Sequence, residues 1–296
     1  MDVIVAGDLF ADLILSGFPS WPRHGTEAFA TDFHREVGGG AANTACGLAK
    51  LGSSASVLGV IGTDGGWLID RLKSLGVGTA YVFTDFAEPT ATAVAINIDR
   101  ERTFFTYYGA NVRFRETLVS FTEFSKASHV HLAWPADLEC VEAIRKSGCS
   151  LSLDVGWNED WLDDPGSLEL LSSVDIFFPN QCEAERMTHE IEPARILRKF
   201  RDAGVRRVVL KLGSEGAAML WDGDFLQVDP IPVATVDTTG AGDSFDAGFL
   251  HFWLRGASPL ECLRAANICG ALSTESYGGV NGFPDLARVQ QELCGK

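Results

Sequence analysis

The chain has 296 residues, 46% of them hydrophobic and 22% charged, enough for one large α/β domain that buries a substantial core. Its formal net charge of −16 argues against nucleic acid or an anionic membrane as a partner, so a phosphate-bearing ligand must be held by local donors or a metal. No apolar run reaches the roughly 18 residues of a membrane span, and the opening MDVIVAGDLF reads as a first strand instead of a signal peptide, so a cytoplasmic setting is expected.

Taken in chain order, VIVAG (3–7) reads as a buried strand, followed by a broken stretch over 9–36 that carries SGFPSWPRHG and TEAFATDFHREV. ANTACGLAKLG (42–52) has helical spacing, ASVLGVIG (55–62) reads as a strand, and GWLIDRLKSLG (66–76) returns to helical spacing with a glycine stop. TATAVAINIDRERTFFTYY (90–108) alternates around DRER and predicts a hairpin. HVHLAW (129–134), LECVEAIRKSG (138–148), LSLDVG (151–156), DIFFPN (175–180), PARILRKFRDAG (193–204) and RVVLKLG (207–213) then continue the alternation of strand and helix, strands outnumbering helices. FLQVDPIPVATV (225–236) looks strand-like. GDSFDAGFLHFWLRG (242–256), SPLECLRAANICGALSTES (258–276) and FPDLARVQQELCG (283–295) predict three closing helices, the second with Ser258 as N-cap and Pro259 in its first turn. Such alternation implies a mainly parallel sheet with helices on both faces, and the two irregular segments predict a small additional β-layer. Seven scattered cysteines (46, 140, 149, 182, 262, 269 and 294) with no C-x-x-C pair are expected to be reduced and buried. His129 and His131 alternate on one strand with no third ligand at a recognisable spacing, so a packed or hydrogen-bonded pair is expected in preference to a metal site.

DTTGAGD (237–243) lies where a strand-like run gives way to a helix. Amides at a helix start lack internal partners and sit at the positive end of the dipole. The backbone of Gly240, Ala241, Gly242 and Asp243 is therefore able to close around a phosphate-like anion. On spacing alone Asp243 is either a capping acid or the base that takes a proton from an attacking alcohol. No G-x-x-x-x-G-K-[ST] occurs, which excludes the P-loop route to ATP.

DTTGAGDSFDAGFL (237–250) resembles the C-terminal signature of the ribokinase-like, or PfkB, carbohydrate kinases. Other stretches are similar to that family's motifs in the same order: GDLFADLIL (7–15), GGGAANTACGLAKLG (38–52), IGTDGGW (61–67), PNQCE (179–183), LKLGSEGA (210–217) and AANICGAL (265–272). The resemblance implies a three-layer α/β/α sandwich over 1–296, with a projecting β-lid drawn from about 9–36 and 88–112. It implies ATP-dependent phosphorylation of a hydroxyl on a small sugar or polyol, with Asp243 as base and the Gly240–Asp243 amides as anion hole. Asn180 and Glu183 would hold Mg²⁺ through water. Lys211, Gly213, Gly216 and Asn267 would contact nucleotide, and Asp12, Gly38, Gly39 and Asn43 the sugar hydroxyls. Asp237 and Thr239 match a loop that shapes a monovalent-cation (K⁺) site in some members. An apolar lid face would pair two chains into a homodimer.

The sequence departs from the family's pattern in ways that bear on the acceptor. Phe10 stands where ribokinase proper is polar, GGGAAN replaces GGKGAN, and HVHLAWPAD offers no ribose-contacting carboxylate. LSLDVGWNEDW (151–161) resembles the D-x-N-x-R strand end of fructokinase and ketodeoxygluconate kinase but lacks the arginine, for which Arg100, Arg102 or Arg113 would have to substitute. Among Phe104, Phe105, Tyr107 and Tyr108, strand alternation sets the middle pair on the face opposite the outer pair. A nucleoside stacked on these rings is the alternative acceptor, and a non-catalytic sugar- or nucleotide-binding regulator is the alternative from outside enzymology.

Overall fold

A computed structural model of the chain describes residues 1–21, 23–98, 101–276 and 278–295. In chain order the elements are β1 (Val3–Gly7), β2 (Phe10–Ser16), β3 (Asp32–Gly38), α1 (Gly40–Lys50), β4 (Ala55–Gly62), α2 (Gly66–Ser74), β5 (Gly78–Asp85), β6 (Thr92–Ile98) and β7 (Glu101–Tyr107). There follow α3 (Phe114–Ser120), β8 (His129–Ala133), α4 (Leu138–Arg145), β9 (Ser150–Asp154), α5 (Glu159–Asp163), α6 (Pro165–Leu170), β10 (Ile176–Phe177), α7 (Gln181–Thr188) and α8 (Pro193–Asp202). The chain closes with β11 (Arg207–Lys211), β12 (Ala217–Trp221), β13 (Asp224–Val228), α9 (Ala241–Trp253), α10 (Pro259–Ser273) and α11 (Leu286–Cys294).

Nine strands form the main sheet in the order β13-β12-β11-β10-β9-β8-β1-β4-β5, parallel except where β12 pairs antiparallel with β11 and β13. Alternate residues of each strand feed different layers. On β1, Ile4 joins Phe114, Val141 and Phe200 of the helices on one face, while Val3 and Val5 join Leu48, Leu68, Phe249 and Leu263 on the other. This two-sided burial explains the near-continuous apolar runs of the parallel strands. The parallel sheet with helices on both faces expected from the alternation, and the three-layer sandwich that the resemblance implies, are the fold observed.

The second sheet, β3-β2-β6-β7, draws its strands from both irregular segments. β6 and β7 form the expected hairpin, Ala95 opposite Phe104 and Asn97 opposite Arg102. Asp99 and Arg100 at its tip lie outside the described residues. Register places Asp12, Ala93 and Thr106 on one face and Leu13, Val94 and Phe105 on the other.

Two readings need correction. The run 225–236 is not one strand: β13 ends at Val228, because Pro230 and Pro232 remove ladder donors, and the chain then crosses irregularly to α9. Only five cysteines are buried, while Cys182 and Cys294 are exposed. β5 and the short strand β12, which the apolar pattern did not single out, complete the two ends of the sheet together with β13. His129 and His131 are fully buried and bonded to serine hydroxyls, His129 to Ser150 (2.8 Å) and Ser152 (2.7 Å), His131 to Ser152 (2.8 Å). No helix among the described residues is long and apolar enough to cross a membrane.

Candidate active site

Because β1, β8, β9, β10 and β11 run parallel, their carboxyl ends share one edge of the sheet, where Gly7, Ala133, Asp154, Asn180 and Lys211 emerge. Ligands of open α/β sheets gather at such an edge. Two of the helices that begin there start on a glycine. Gly39 (φ 93°) precedes α1 and Gly240 (φ 73°) precedes α9, both in backbone conformations that favour glycine. Neither start has a side-chain cap. At α9 the Ala241 amide donates to the Thr238 carbonyl (3.2 Å), whereas the amides of Gly240, Gly242 and Asp243 have no acceptor among the described residues. Three of the four expected anion-hole donors are thus free, and the fourth is engaged.

Asp243 stands in the first turn of α9, half-buried. Asn43 on α1 donates from Nδ2 to its Oδ2 (2.8 Å), and its Oδ1 faces the Cα of Gly40. Asn43, expected to hold sugar hydroxyls, orients the candidate base. Burial, aided by the Asp154 charge, raises Asp243 to about 6, against the opposing pull of the Asn43 bond and Lys211.

Lys211 does not snorkel to solvent. Its Nζ bonds Asp154 Oδ2 (2.7 Å) and Asp246 Oδ1 (3.3 Å), and a Cβ on Gly242 would lie 3.4 Å from it. The cation therefore sits beneath the anion hole, locked between two carboxylates instead of reaching out to phosphate. Burial opposes its charge, but Asp154 and Asp246 hold Lys211 firmly protonated. Asp154 is held down at about 2 despite its burial, chiefly by Lys211, whereas burial raises the fully buried Asp246. Lys211→Met would leave these carboxylates without a cation, at a cost of about 3–5 kcal/mol of stability, read as a lowered urea midpoint. It would also move the acid limb of kcat upward, because a cation that favours ionised Asp243 is gone.

Asn180 and Glu183 form a closed capping box at the start of α7. The Glu183 amide donates to Asn180 Oδ1 (3.0 Å), and Asn180 donates from its amide to Glu183 Oε2 (2.9 Å) and from Nδ2 to Oε1 (2.6 Å). Burial raises Glu183 to about 7, with Asp154 adding to the effect. Among the described residues no three His, Cys, Asp or Glu side chains gather as a metal cage. With both side chains closed on each other, this pair would meet a magnesium ion only through the ion's own waters.

On the nucleotide side, Gly213 (φ 58°) faces open space, as backbone meeting a ligand should. Gly216 (φ 89°) is glycine for another reason: a Cβ there would lie 2.3 Å from the Val228 carbonyl oxygen, so packing against β13 demands it. Asn267 donates to the Asp229 carbonyl (2.8 Å) at the wall of a cavity of about 290 Å³, which Gln227, Arg264 and Glu292 also line.

On the acceptor side, Asp12 of β2 lies against Gly38, where a Cβ would fall 2.2 Å from its Oδ2. Burial raises Asp12 to about 7, Arg102 opposing and the charges of Glu36 and Asp243 reinforcing the shift. Gly39 has no room for a side chain because the Asp8 carbonyl oxygen would lie 2.2 Å from its Cβ. No sequence spacing points to Asp8. Its Oδ2 accepts from Tyr108 OH (2.6 Å), which in turn accepts from Trp134 Nε1 (3.1 Å), and its buried Oδ1 has no partner among the described residues. Phe10 lies beside Tyr108, ring centroids 6.1 Å apart. Asp237 and Thr239 bond to one another and to Arg102 of β7, a partner no local spacing could indicate. Arg113, by contrast, pairs at the surface with Asp85 (3.5 Å) and Glu116 (3.5 Å).

The family model for pfkB family carbohydrate kinases matches residues 2–286. The chain belongs to the PfkB family. It shares the family's activity class, that of an ATP-dependent carbohydrate kinase. A ribokinase of Arabidopsis thaliana is 31% identical, the match covering 98% of this chain and 80% of the relative. A nucleoside kinase of Methanothermobacter thermautotrophicus is 29% identical over 97% of this chain and 94% of its own. The structure of Arabidopsis thaliana ribokinase complexed with ribose and ATP superposes with a TM-score of 0.84 at 30% identity, covering 99% of this chain and 98% of that one. This PfkB protein therefore carries its family's architecture.

Proposed function

We propose that this PfkB kinase transfers the γ-phosphate of ATP to a hydroxyl of a small sugar or related polyol, with Asp243 as general base. One observation carries the reading: three free amides at the start of α9 stand beside a carboxylate that Asn43 orients. Donors aimed at the transferring phosphoryl oxygens favour the transition state, and the adjacent carboxylate takes the alcohol proton as the new P–O bond forms and the bond to the β-phosphate oxygen breaks. Lys211 supports the carboxylate cluster beneath that turn. Magnesium, when bound, would screen the phosphates, with Asn180 and Glu183 reached through its water shell. The adenine would enter the cavity beside Asn267 and the phosphates would pass Gly213.

Asp12 accepts acceptor hydroxyls on the other side, and the unpartnered Asp8 Oδ1 takes a further donor. The two-segment sheet, 9–36 with 88–112, acts as a lid over a single kinase domain spanning 1–296 and keeps water from the reacting phosphate. Its outer face, with Phe33, Phe105 and Tyr107 exposed, supports a lid-to-lid homodimer in the cytoplasm.

A nucleoside acceptor is the second reading. It is favoured by the Phe10, Tyr108 and Trp134 rings around Asp8 and by the likeness to a nucleoside kinase. ATP consumption measured with ribose, fructose, ketodeoxygluconate, adenosine, inosine and cytidine separates the two. Stimulation by one or more of these acceptors is expected; a rate that none of them raises would leave the non-catalytic regulator standing. Once the acceptor is known, kcat should fall about tenfold per pH unit below about pH 6, since Asp243 must be ionised to act. A flat profile from pH 7 down to 5 would remove Asp243 as base.

A further inference from the structure

We propose that Arg102 is the built-in cation of the loop preceding α9, fastening the β6–β7 hairpin to that loop so that phosphoryl transfer needs no free monovalent ion. The inference rests on the kinase reading above, and names a positioning residue, since Arg102 lies outside the free amides and the Asp243 carboxylate.

The guanidinium is held from three sides. Its Nε donates to Asn97 Oδ1 (2.9 Å) across the hairpin, one terminal nitrogen donates to Asp237 Oδ1 (3.3 Å) and to the Thr239 hydroxyl, and the other lies 3.2 Å from Asp237 Oδ2. Phe104 packs against it, the guanidinium carbon 5.6 Å from the ring centroid. Arg102 and Asp237 side chains are only 16% and 11% exposed, so solvent screens this pair far less than the surface pairs.

Asp237 has little capacity left for an ion. Its Oδ1 also accepts from the Thr239 amide (3.0 Å) and hydroxyl (2.8 Å), and its Oδ2 from the Gly278 amide (3.0 Å). A potassium ion brought to this carboxylate would have to displace donors and sit beside a fixed positive charge. Asp237 and Thr239 as arranged therefore do not fit the monovalent-cation site their sequence positions suggest. What such an ion would supply, positive charge holding the loop ahead of the anion hole, Arg102 supplies from 135 positions away. Because Arg102 belongs to the second sheet, one side chain joins the lid to the turn before α9, and its charge also favours ionised Asp12.

The test compares kcat, acceptor KM and melting temperature of the wild type, Arg102→Ala and Arg102→Lys in potassium chloride and in tetramethylammonium chloride at equal ionic strength. The wild type should turn over equally in both, within about twofold, and melt at the same temperature in both. Arg102→Ala should lose roughly tenfold or more in kcat. Part of that loss should return with potassium or guanidinium, and potassium should raise the variant's melting temperature. Arg102→Lys should fall between. Wild-type activation by potassium of about fivefold or more would overturn the proposal. So would an Arg102→Ala variant with wild-type kcat, or a loss in kcat that neither cation relieves. A wild type that phosphorylates no acceptor would instead defeat the kinase reading, and the melting comparison would still judge the cation.

Discussion

Asp243→Asn is expected to lower kcat by roughly 10²- to 10⁴-fold while ATP affinity stays unchanged. Asparagine keeps the size of the side chain and an oxygen for the Asn43 donor, so the start of α9 and its free amides should stand as before. What disappears is the capacity to receive the alcohol proton. A carboxylate in an ordinary solvated setting would be a weak base, but burial has brought this one to about 6, close enough to neutrality to share the proton effectively as the new bond forms. Asn43→Ala is the companion. It would free the carboxylate to rotate and should cost less than Asp243→Asn, without abolishing turnover. Steady-state kinetics with nucleotide binding by titration checks both, and full turnover by Asp243→Asn would remove the base from the mechanism.

Asp12→Ala is expected to weaken acceptor binding by roughly 10²- to 10⁴-fold, the worth of about two hydrogen bonds to a charged group, while sparing ATP. The carboxylate stands on Gly38 at the floor of the second sheet, and no other acidic side chain of β2 can replace it. Asp243 keeps its Asn43 partner in this variant, so the effect should lie in a raised acceptor KM and not in kcat. Asp12→Asn keeps the hydrogen-bonding shape and should recover part of the affinity. Isothermal titration with the acceptor reads the effect, and an undiminished affinity in Asp12→Ala would move the acceptor site elsewhere.

Much of this architecture was legible because its signals are local. Parallel strands buried on both faces leave apolar runs, helix stops leave glycines, and the turn before α9 must be bare to expose its amides. Glycine in a motif carried less information about purpose. Gly38, Gly39 and Gly216 each exclude a Cβ because Asp12, Asp8 or the end of β13 fills that space, which linear order does not disclose. Charge partnerships were the least readable. Lys211, Asp154 and Asp246 come from β11, β9 and α9, and Arg102 meets Asp237 across two sheets, so only the folded chain reveals that these charges are paired. Asp8 escaped notice although its motif was recognised, because its importance lies in an unsatisfied oxygen that only burial makes visible. β12 and β5 give weak signals for simpler reasons: β12 is a short apolar run that does not declare its period, and β5 is a half-exposed edge strand that mixes polar and apolar positions.

The place of β1 has a consequence for how the polypeptide is made. Val3 pairs with Ala55 on one side and with His129 on the other, so β1 lies inside the sheet although both of its neighbours come later in the chain, and it must wait for them. Vectorial synthesis cannot build this sheet from one edge to the other, and the early nascent chain holds an adhesive, two-sided apolar strand with half its ladder open. Slow refolding after dilution from denaturant is expected from the same connectivity, because both ladders of β1 close over long stretches of chain.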